Sequence, residues 1–217
     1  MLGRLLDFFR RKPVVPEYSE EACERDYDLK SAGLVRVLGP MHEYVGHAII
    51  PYDIGGPVDM YYFPQSSGTA FATMELLRPD GSGPLPSTIG TYELVAFTRH
   101  PVGRGESSPE FQAIELRIRS IFTTIGRYSE QAVLKPLETC EVPAGENEPN
   151  YCAIFDDYSR YGPAFTVGDR PHGLLLVVQV HRSEMEYAME HGTQALIQLL
   201  NVRGFFPFSD LDRPAVA

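Results

Sequence analysis

The stretch that most constrains the fold is the apolar run LLLVVQV, residues 174–180, which gives way at once to a polar, glutamate-rich segment. The run does not alternate, and such a pattern is typical of a strand covered on both faces near the middle of a sheet. Ser183 and Glu186 have the spacing of a capping box, which predicts a helix from there to about Val202. Gly192 would lie inside that helix, where it either costs stability or marks a close approach.

Three further strands are predicted upstream, over residues 58–63, 69–77 and 91–99. The first and third are rich in aromatic and branched residues, and glycine or proline turns separate all three. Because the connections are short or of medium length, an antiparallel meander is the simplest arrangement of these strands. A later strand is predicted in YCAIF, residues 151–155.

Two more helices are predicted from their start signals. Ser19 can cap a first helix, and Ser108 followed by Pro109 is a strong start for a second. Gly126 fits the end of the second helix, whose apolar residues recur at helical spacing and predict one stripe packed on the sheet. These are Phe111, Ile114, Ile118, Ile121, Phe122 and Ile125. The fold class is therefore α+β, with a mixed, largely antiparallel central sheet and packed helices.

Length and charge limit the organisation and the partners of the chain. We expect a basic N-terminal extension over residues 1–16 and one domain over residues 17–217. A net charge of −10 repels phosphate backbones, so no nucleic acid is expected as a partner. No apolar run is long enough to span a membrane. The three cysteines form no CxxC pair, which favours reduced thiols and a cytoplasmic location.

Several segments resemble sites of chemistry without meeting their geometry. HEYVGH, from His42 to His47, has one residue too many for a zinc-binding HExxH helix. His181 and Glu184 are more typical of a solvated helix start than of a metal or acid/base site. The glycines and serines of residues 103–108 lack the lysine of a phosphate loop and favour a flexible connection. We therefore predict no metal, cofactor or catalytic residue.

An enzyme remains the main alternative at this point. Asp59 and Glu93 are carboxylates inside strands, so each either faces solvent or is buried with partners. A hydrolase-like site would need several acids, histidines and thiols to meet in one cleft. At least two would have to come from His42, His47, Asp59, Glu93 and Cys152.

The order of the segments carries a family resemblance. GGPVDMYYFP, GTAFATMELL, TYELVAFTR, IFTTIGRYS, LLLVVQVHRSEMEYAMEHGTQALIQLLN and the final DLDRP occur in the order seen in suppressor-of-fused domains, across about residues 30 to 214. The resemblance implies a non-catalytic protein-binding domain. In the animal members, this domain and a second C-terminal domain clamp a short segment of Gli-type transcription factors as an added β-strand.

Bacterial members of this single-domain size resemble immunity proteins, which neutralise a toxin by binding it. The resemblance thus implies a protein partner, and the acidic charge of the chain agrees with a basic toxin. A regulatory scaffold with a self-associating sheet edge is a further alternative. The sequence leaves the oligomeric state open.

A binding surface follows if residues 69–77 lie at a sheet edge. A partner strand could then pair with the free backbone groups of this segment, which loosely matches the ligand-binding region of the animal family. The predicted protein-binding residues are Phe71, Thr73, Glu75 and Asp80.

Overall fold

The computed structural model describes residues 18–103, 107–145 and 148–217. The predicted basic extension and residues 104–106 of the glycine-serine connection lie outside these ranges. The helices are α1 (Glu20–Leu38), α2 (Pro109–Ser129), α3 (Arg182–His191) and α4 (Thr193–Val202). The strands of the main sheet are β1 (Val45–Gly46), β2 (Met60–Gln65), β3 (Gly68–Ala72), β4 (Tyr92–Thr98), β5 (Thr139–Val142), β6 (Tyr151–Asp157) and β9 (Gly173–Val180). A separate hairpin pairs β7 (Thr166–Val167) with β8 (Arg170–Pro171).

The main sheet has the strand order β1-β2-β3-β4-β9-β6-β5. Only the β4–β9 pair is parallel, and β2, β3 and β4 form the predicted antiparallel meander. Every residue of β9 is buried, as its apolar sequence predicts. Helix α2 covers one face of the sheet, and α1, α3 and α4 contribute to the apolar cluster on the other. The α+β prediction is therefore confirmed.

The predicted starts of the first two helices are confirmed, but the predicted end of α2 is wrong. The hydroxyl oxygens of Ser19 and Ser108 each accept a hydrogen bond from a first-turn N–H, at 3.2 Å. Helix α2 runs through Gly126 to Ser129. An added Cβ at Gly126 would lie 2.8 Å from the Tyr52 hydroxyl, so this glycine allows a close approach rather than ending the helix.

The predicted capping box is also misplaced. Helix α3 begins at Arg182, and the backbone N–H of His181 donates to Glu184 Oε2 at 2.9 Å. The pair that caps the helix is therefore His181 with Glu184, two residues before Ser183 with Glu186. Gly192 adopts a φ of 92° and divides the predicted single helix into α3 and α4. No helix in the described part of the chain has the length and apolar character needed to cross a bilayer.

Candidate functional site

The predicted binding segment does not lie at a sheet edge. Strand β3 ends at Ala72 and pairs with β2 on one side and with β4 on the other. The condition for adding a partner strand there is therefore not met. The sequence did not reveal this position, because the order of strands depends on contacts that are distant in sequence and a local pattern does not show whether both edges of a strand are paired.

Phe71 and Thr73 lie in the protein interior. The Phe71 ring packs 5.8 Å from Tyr62 and 5.6 Å from Phe111, measured between ring centroids. The Thr73 hydroxyl donates to Glu93 at 2.6 Å, and both residues are fully buried. Neither side chain can touch a partner while this fold is intact, so any role of Phe71 or Thr73 in binding would be indirect.

The other two predicted residues lie in the irregular segment that follows β3. Glu75 is half-buried, and its Oε2 accepts a hydrogen bond from the backbone of Asp59 at 2.8 Å. Burial raises the pKa of Glu75 to about 8, and the nearby carboxylates of Asp59 and Glu93 add to the rise. Asp80 lies in an exposed turn, where it accepts from the N–H of Ser82 at 2.8 Å. Binding by Glu75 and Asp80 stays a prediction.

Glu93 is a buried anchor of the fold. Its carboxylate accepts from the Thr73 hydroxyl and from the N–H of Leu77 at 2.9 Å, and Lys30 Nζ lies 3.8 Å away. Lys30 also contacts Asp26 at 2.6 Å. Desolvation raises the pKa of Glu93, and the ammonium of Lys30 opposes that rise. The cluster fixes the bend after β3 and joins it to α1.

Of the five residues from which the enzyme alternative draws at least two, His47 and Asp59 come together, but at an exposed position rather than in a cleft with other acids or thiols. His47 Nδ1 lies 2.6 Å from Asp59 Oδ2, but the His47 side chain is largely exposed. Glu93 belongs to the Lys30 cluster, and Cys152 lies on β6 in the other half of the sheet. In residues 18–103, 107–145 and 148–217, no three His, Cys, Asp or Glu side chains are placed to hold a metal ion.

The longer of the two sheet edges is β5. Within the described residues β5 pairs only with β6, and its other side is unpaired. The opposite edge, β1, has two residues, and Arg119 donates a hydrogen bond to the Gly46 carbonyl there at 3.1 Å. Strand β5 is therefore the better template for an added strand.

The backbone groups that face outward from β5 follow from its register. The N–H of Phe155 in β6 donates to the carbonyl of Glu138 at 3.0 Å. Hydrogen bonds alternate along an antiparallel pair, so Cys140 and Val142 turn their backbone groups toward β6. The N–H and C=O groups of Thr139 and Glu141 consequently point away from the sheet.

A bulge precedes this edge. Leu137 donates its N–H to the carbonyl of Phe155 at 2.8 Å, while the N–H of Phe155 donates to the carbonyl of Glu138. Leu137 and Glu138 therefore both lie opposite the single residue Phe155. Leu137 has a φ of 68°, and among the described residues it is the only non-glycine with a positive φ. That backbone is costly for a leucine. Bulges of this kind recur at sheet edges, where they redirect side chains.

Two grooves flank β5, one on each face of the sheet. The α2-side groove has a volume of about 550 Å³ and lies between the C-terminal half of α2 and β5, with Tyr128 and Val133 among its lining residues. The α3-side groove, of about 300 Å³, is lined by Leu137, Met189 and Thr193 among others. The Tyr128, Val133, Leu137 and Met189 side chains are all exposed. The edge is therefore bordered by apolar surface.

The charge along β5 is acidic. Glu138 and Glu141 belong to the bulge and the strand, and Glu141 forms an ion pair with Arg182 at the start of α3. Hydrogen bonds from Arg182 and Asn150 hold the pKa of Glu141 below its usual value. Burial raises the pKa of the Cys140 thiol, which keeps it protonated at neutral pH and a poor nucleophile.

The sequence contained a weak signal for this edge. In residues 139–142, TCEV, polar and apolar residues alternate, and the structure turns Cys140 and Val142 toward the α2 side of the sheet. Such alternation is typical of a strand with one covered face. Four residues are too few to separate that pattern from a loop, and the position at an edge is set by the whole sheet.

Comparison with known proteins identifies the fold but no sequence relative. No family model matches the chain, and no curated protein matches it. Among solved structures, a chain of the Sufu–Fu complex is similar with a TM-score of 0.52 and 13% identity, over 87% of this chain and 89% of that one. Suppressor of Fused from Drosophila matches with a TM-score of 0.43 and 16% identity, over 70% of this chain and 41% of that one. The fold is thus similar to that of Sufu.

Proposed function

We propose that this chain is a protein-binding domain of the suppressor-of-fused type that takes up an extended segment of a partner protein along β5. The observation that carries the proposal is the unpaired edge at Thr139 and Glu141, bordered by a groove on each face. The similar fold agrees with it, since that solved structure is a complex of Sufu with another protein, Fu.

Strand addition explains the shape of the surface around β5. Successive side chains of an added strand point to opposite faces, about 7 Å apart along each face. One set would enter the α2-side groove beside Tyr128 and Val133, and the other would lie against Met189. The larger α2-side groove fits a large apolar side chain. Backbone pairing would supply affinity, and the grooves would supply selectivity.

The charge of the chain indicates which kind of protein the partner is. Glu138 beside β5 and the net charge of −10 favour a basic segment, and Glu141, which pairs with Arg182, would have to exchange that partner to contribute. We further propose that the partner is a toxin that this chain neutralises in the cytoplasm, by binding and without catalysis. An immunity protein of this kind needs only to cover the active surface of its toxin.

The experiment is capture of the partner from the native cell with the tagged full-length chain and two variants. Thr139→Pro removes an N–H that points away from β6, so the sheet keeps its own hydrogen bonds. Thr139→Val keeps that N–H and is the matched control. We expect wild type and Thr139→Val to retain one stoichiometric partner at moderate salt, and Thr139→Pro to lose it at least tenfold. The identified partner should be basic and toxic when expressed alone.

Three results would count against the proposal. Equal capture by Thr139→Pro, with its fold confirmed by circular dichroism, would move the binding surface away from β5. Concentration-dependent self-association with no foreign protein would favour the scaffold alternative. A monomer that retains nothing from the cell would contradict protein binding itself.

A further inference from the structure

A cavity of about 670 Å³ lies at the end of the sheet where the parallel strands β4 and β9 both terminate. His100, two residues after β4, and His181, directly after β9, are among its lining residues. The crevice beyond the carboxyl ends of parallel strands is a frequent place for small ligands. The residues of β5 do not line this cavity, so it is separate from the two grooves described above.

Gln179 is the one residue of the apolar strand β9 with a polar side chain, and only 2% of it is exposed. Its Oε1 accepts a hydrogen bond from Arg117 Nε at 3.3 Å. Because a guanidinium only donates, the amide oxygen has to face Arg117, and the amide NH2 is left for another partner. In the described part of the chain the Gln179 NH2 has no hydrogen-bond partner, and Gln179 lines the cavity. A nearly buried donor of this kind indicates that a ligand or water accepts from it.

Arg117 gives the cavity an unpaired positive charge. Its side chain is half-buried on α2, and in residues 18–103, 107–145 and 148–217 no carboxylate lies within ion-pair distance of it. The other arginine of the cavity, Arg182, is already paired with Glu141. A guanidinium binds a carboxylate best through two parallel hydrogen bonds. Arg117 together with the Gln179 NH2 is therefore suited to the carboxylate of a ligand.

The far end of the cavity is acidic. Glu110 and Arg117 both line it and lie two turns apart on one face of α2, which separates their Cα atoms by about 10 Å. Glu110 is exposed, and none of the lysines or arginines in the described ranges lies within ion-pair distance of it. Ala113 and Ile114 lie between the two charges and also line the cavity. One wall of the cavity thus presents an acid, an apolar middle and a base.

The remaining charges make the overall balance of the cavity acidic. Three further acids line it, and all are bonded within the fold or exposed: Asp210, Asp212 and Glu148. His100 Nε2 lies 3.8 Å from Asp210 and 3.7 Å from Asp212, so even a protonated His100 offsets only one of these charges. This excess of carboxylates repels a simple anion and favours a molecule that also carries a positive charge.

We propose that this cavity binds a small ω-amino acid, in which an aliphatic chain joins a carboxylate to an amine. The carboxylate pairs with Arg117 and the Gln179 NH2, the chain lies along Ala113 and Ile114, and the amine lies beside Glu110. A chain of about five carbons, with a hydrogen bond at each end, is long enough to connect two charges at this separation. The inference does not depend on the β5 proposal, because it uses no residue of β5 or of the grooves beside it.

The test is isothermal titration calorimetry of the full-length chain with three probes. ε-Aminocaproate carries both charges, caproate lacks the amine, and hexylamine lacks the carboxylate. We expect ε-aminocaproate to bind about tenfold more tightly than caproate or hexylamine, since each charged end adds hydrogen bonds to an ionised group. No measurable binding of ε-aminocaproate, or equal affinities for the three probes, would overturn the proposal.

Two variants assign the two ends of the ligand. Arg117→Met should weaken ε-aminocaproate about tenfold and leave hexylamine unchanged, whereas Glu110→Gln should weaken ε-aminocaproate about tenfold and leave caproate unchanged. Arg203→Met, which removes an exposed arginine elsewhere, is the matched control. Because Glu110 is exposed, its substitution leaves the core intact, and this arm stands even where Arg117→Met fails to fold. Equal weakening of all three probes by either variant would mean that the residue only shapes the cavity, which would overturn the assignment.

A fourth probe separates a free ligand from a protein-bound one. Nα-Acetyl-lysine mimics a lysine at the C-terminus of a protein, which carries the same two charges. We expect it to bind no more tightly than ε-aminocaproate. Binding that is tighter by about tenfold would overturn the assignment to a free ligand in favour of a protein C-terminus.

Discussion

The Arg213 guanidinium donates two hydrogen bonds to the Glu184 carboxylate, from Nη1 to Oε1 at 2.6 Å and from Nη2 to Oε2 at 2.8 Å. Both side chains are buried. Glu184 also accepts from the backbone of His181 and of Val216, each at 2.9 Å. One carboxylate therefore joins the end of β9, the start of α3 and the C-terminal segment.

We expect Arg213→Met to destabilise the protein by about 3–5 kcal/mol, because it leaves the buried Glu184 charge without its ion-pair partner. Urea unfolding followed by circular dichroism measures the change. Arg203→Met is the control: Arg203 is exposed, and its substitution should change stability by less than about 0.5 kcal/mol. Equal effects of the two substitutions would contradict a structural role for the pair.

The buried Lys30–Glu93 cluster gives a prediction in which a second substitution restores stability. Lys30→Met should cost about 3 kcal/mol or more, because the fully buried Glu93 carboxyl then faces desolvation without a cation. Adding Glu93→Gln to Lys30→Met should recover part of the loss, since the amide carries no charge.

The measurement is again urea unfolding, with Lys135→Met as the exposed control. A double variant as unstable as the sum of the two single variants would show that the charges of Lys30 and Glu93 do not interact.

The sequence predicted those elements whose signals are local. The unbroken apolar run of β9 indicated a strand buried on both faces, and Ser19 and Ser108 marked helix starts, because capping involves residues three or four apart. The suppressor-of-fused resemblance agreed with the observed fold. None of these signals requires knowledge of which strands are neighbours.

The position of the candidate site was not predictable in the same way. β3 lies inside the sheet because β2 and β4 pair with its two edges, and the sheet continues beyond β4 through the distant parallel strand β9. This arrangement leaves the short β5 as the free edge. The predicted solvated helix start at His181 and Glu184 was wrong, because Glu184 is buried against Arg213, 29 residues away, and Ser183 with Glu186 offered an equally good local capping pattern.

Because α2 approaches Tyr52 closely at Gly126, we expect the effect of Gly126→Ala on stability to change sign when the Tyr52 hydroxyl is removed. Gly126→Ala should destabilise the wild type by about 1–3 kcal/mol, because the new Cβ meets the Tyr52 hydroxyl at 2.8 Å. In a Tyr52→Phe background the same substitution should stabilise by up to about 1 kcal/mol, through the higher helix propensity of alanine.

Thermal unfolding of wild type, both single variants and the double variant forms a complete cycle. The Tyr52 hydroxyl has no hydrogen-bond partner among the described residues, so Tyr52→Phe alone should cost little. Additive effects would mean that the hydroxyl is not the obstacle to a side chain at position 126.

Because its pKa is raised, Glu75 should make the stability of the protein depend on pH above the ordinary pKa of a glutamate, about 4.5. Burial raises the Glu75 pKa to about 8, so the folded protein keeps this proton while the unfolded chain loses it near pH 4.5. The unfolded state therefore gains from ionisation first, and the free energy of unfolding should fall between about pH 4.5 and 8 and then level off. Glu75→Gln, which mimics the protonated acid, should remove this part of the slope.

At pH 9 we expect Glu75→Gln to be more stable than wild type by up to about 5 kcal/mol, because the pKa of Glu75 rises from about 4.5 to about 8, and at pH 4 we expect the two to be nearly equal. Urea unfolding across this pH range measures the difference, and Glu20→Gln at an exposed position is the control.

The Glu75→Gln variant also tests where the partner binds: if the partner pairs with β5, this variant should capture it as well as wild type does. A stability difference that stays constant with pH would mean that Glu75 is ionised in the folded protein, and reduced capture would return the binding surface to the segment after β3.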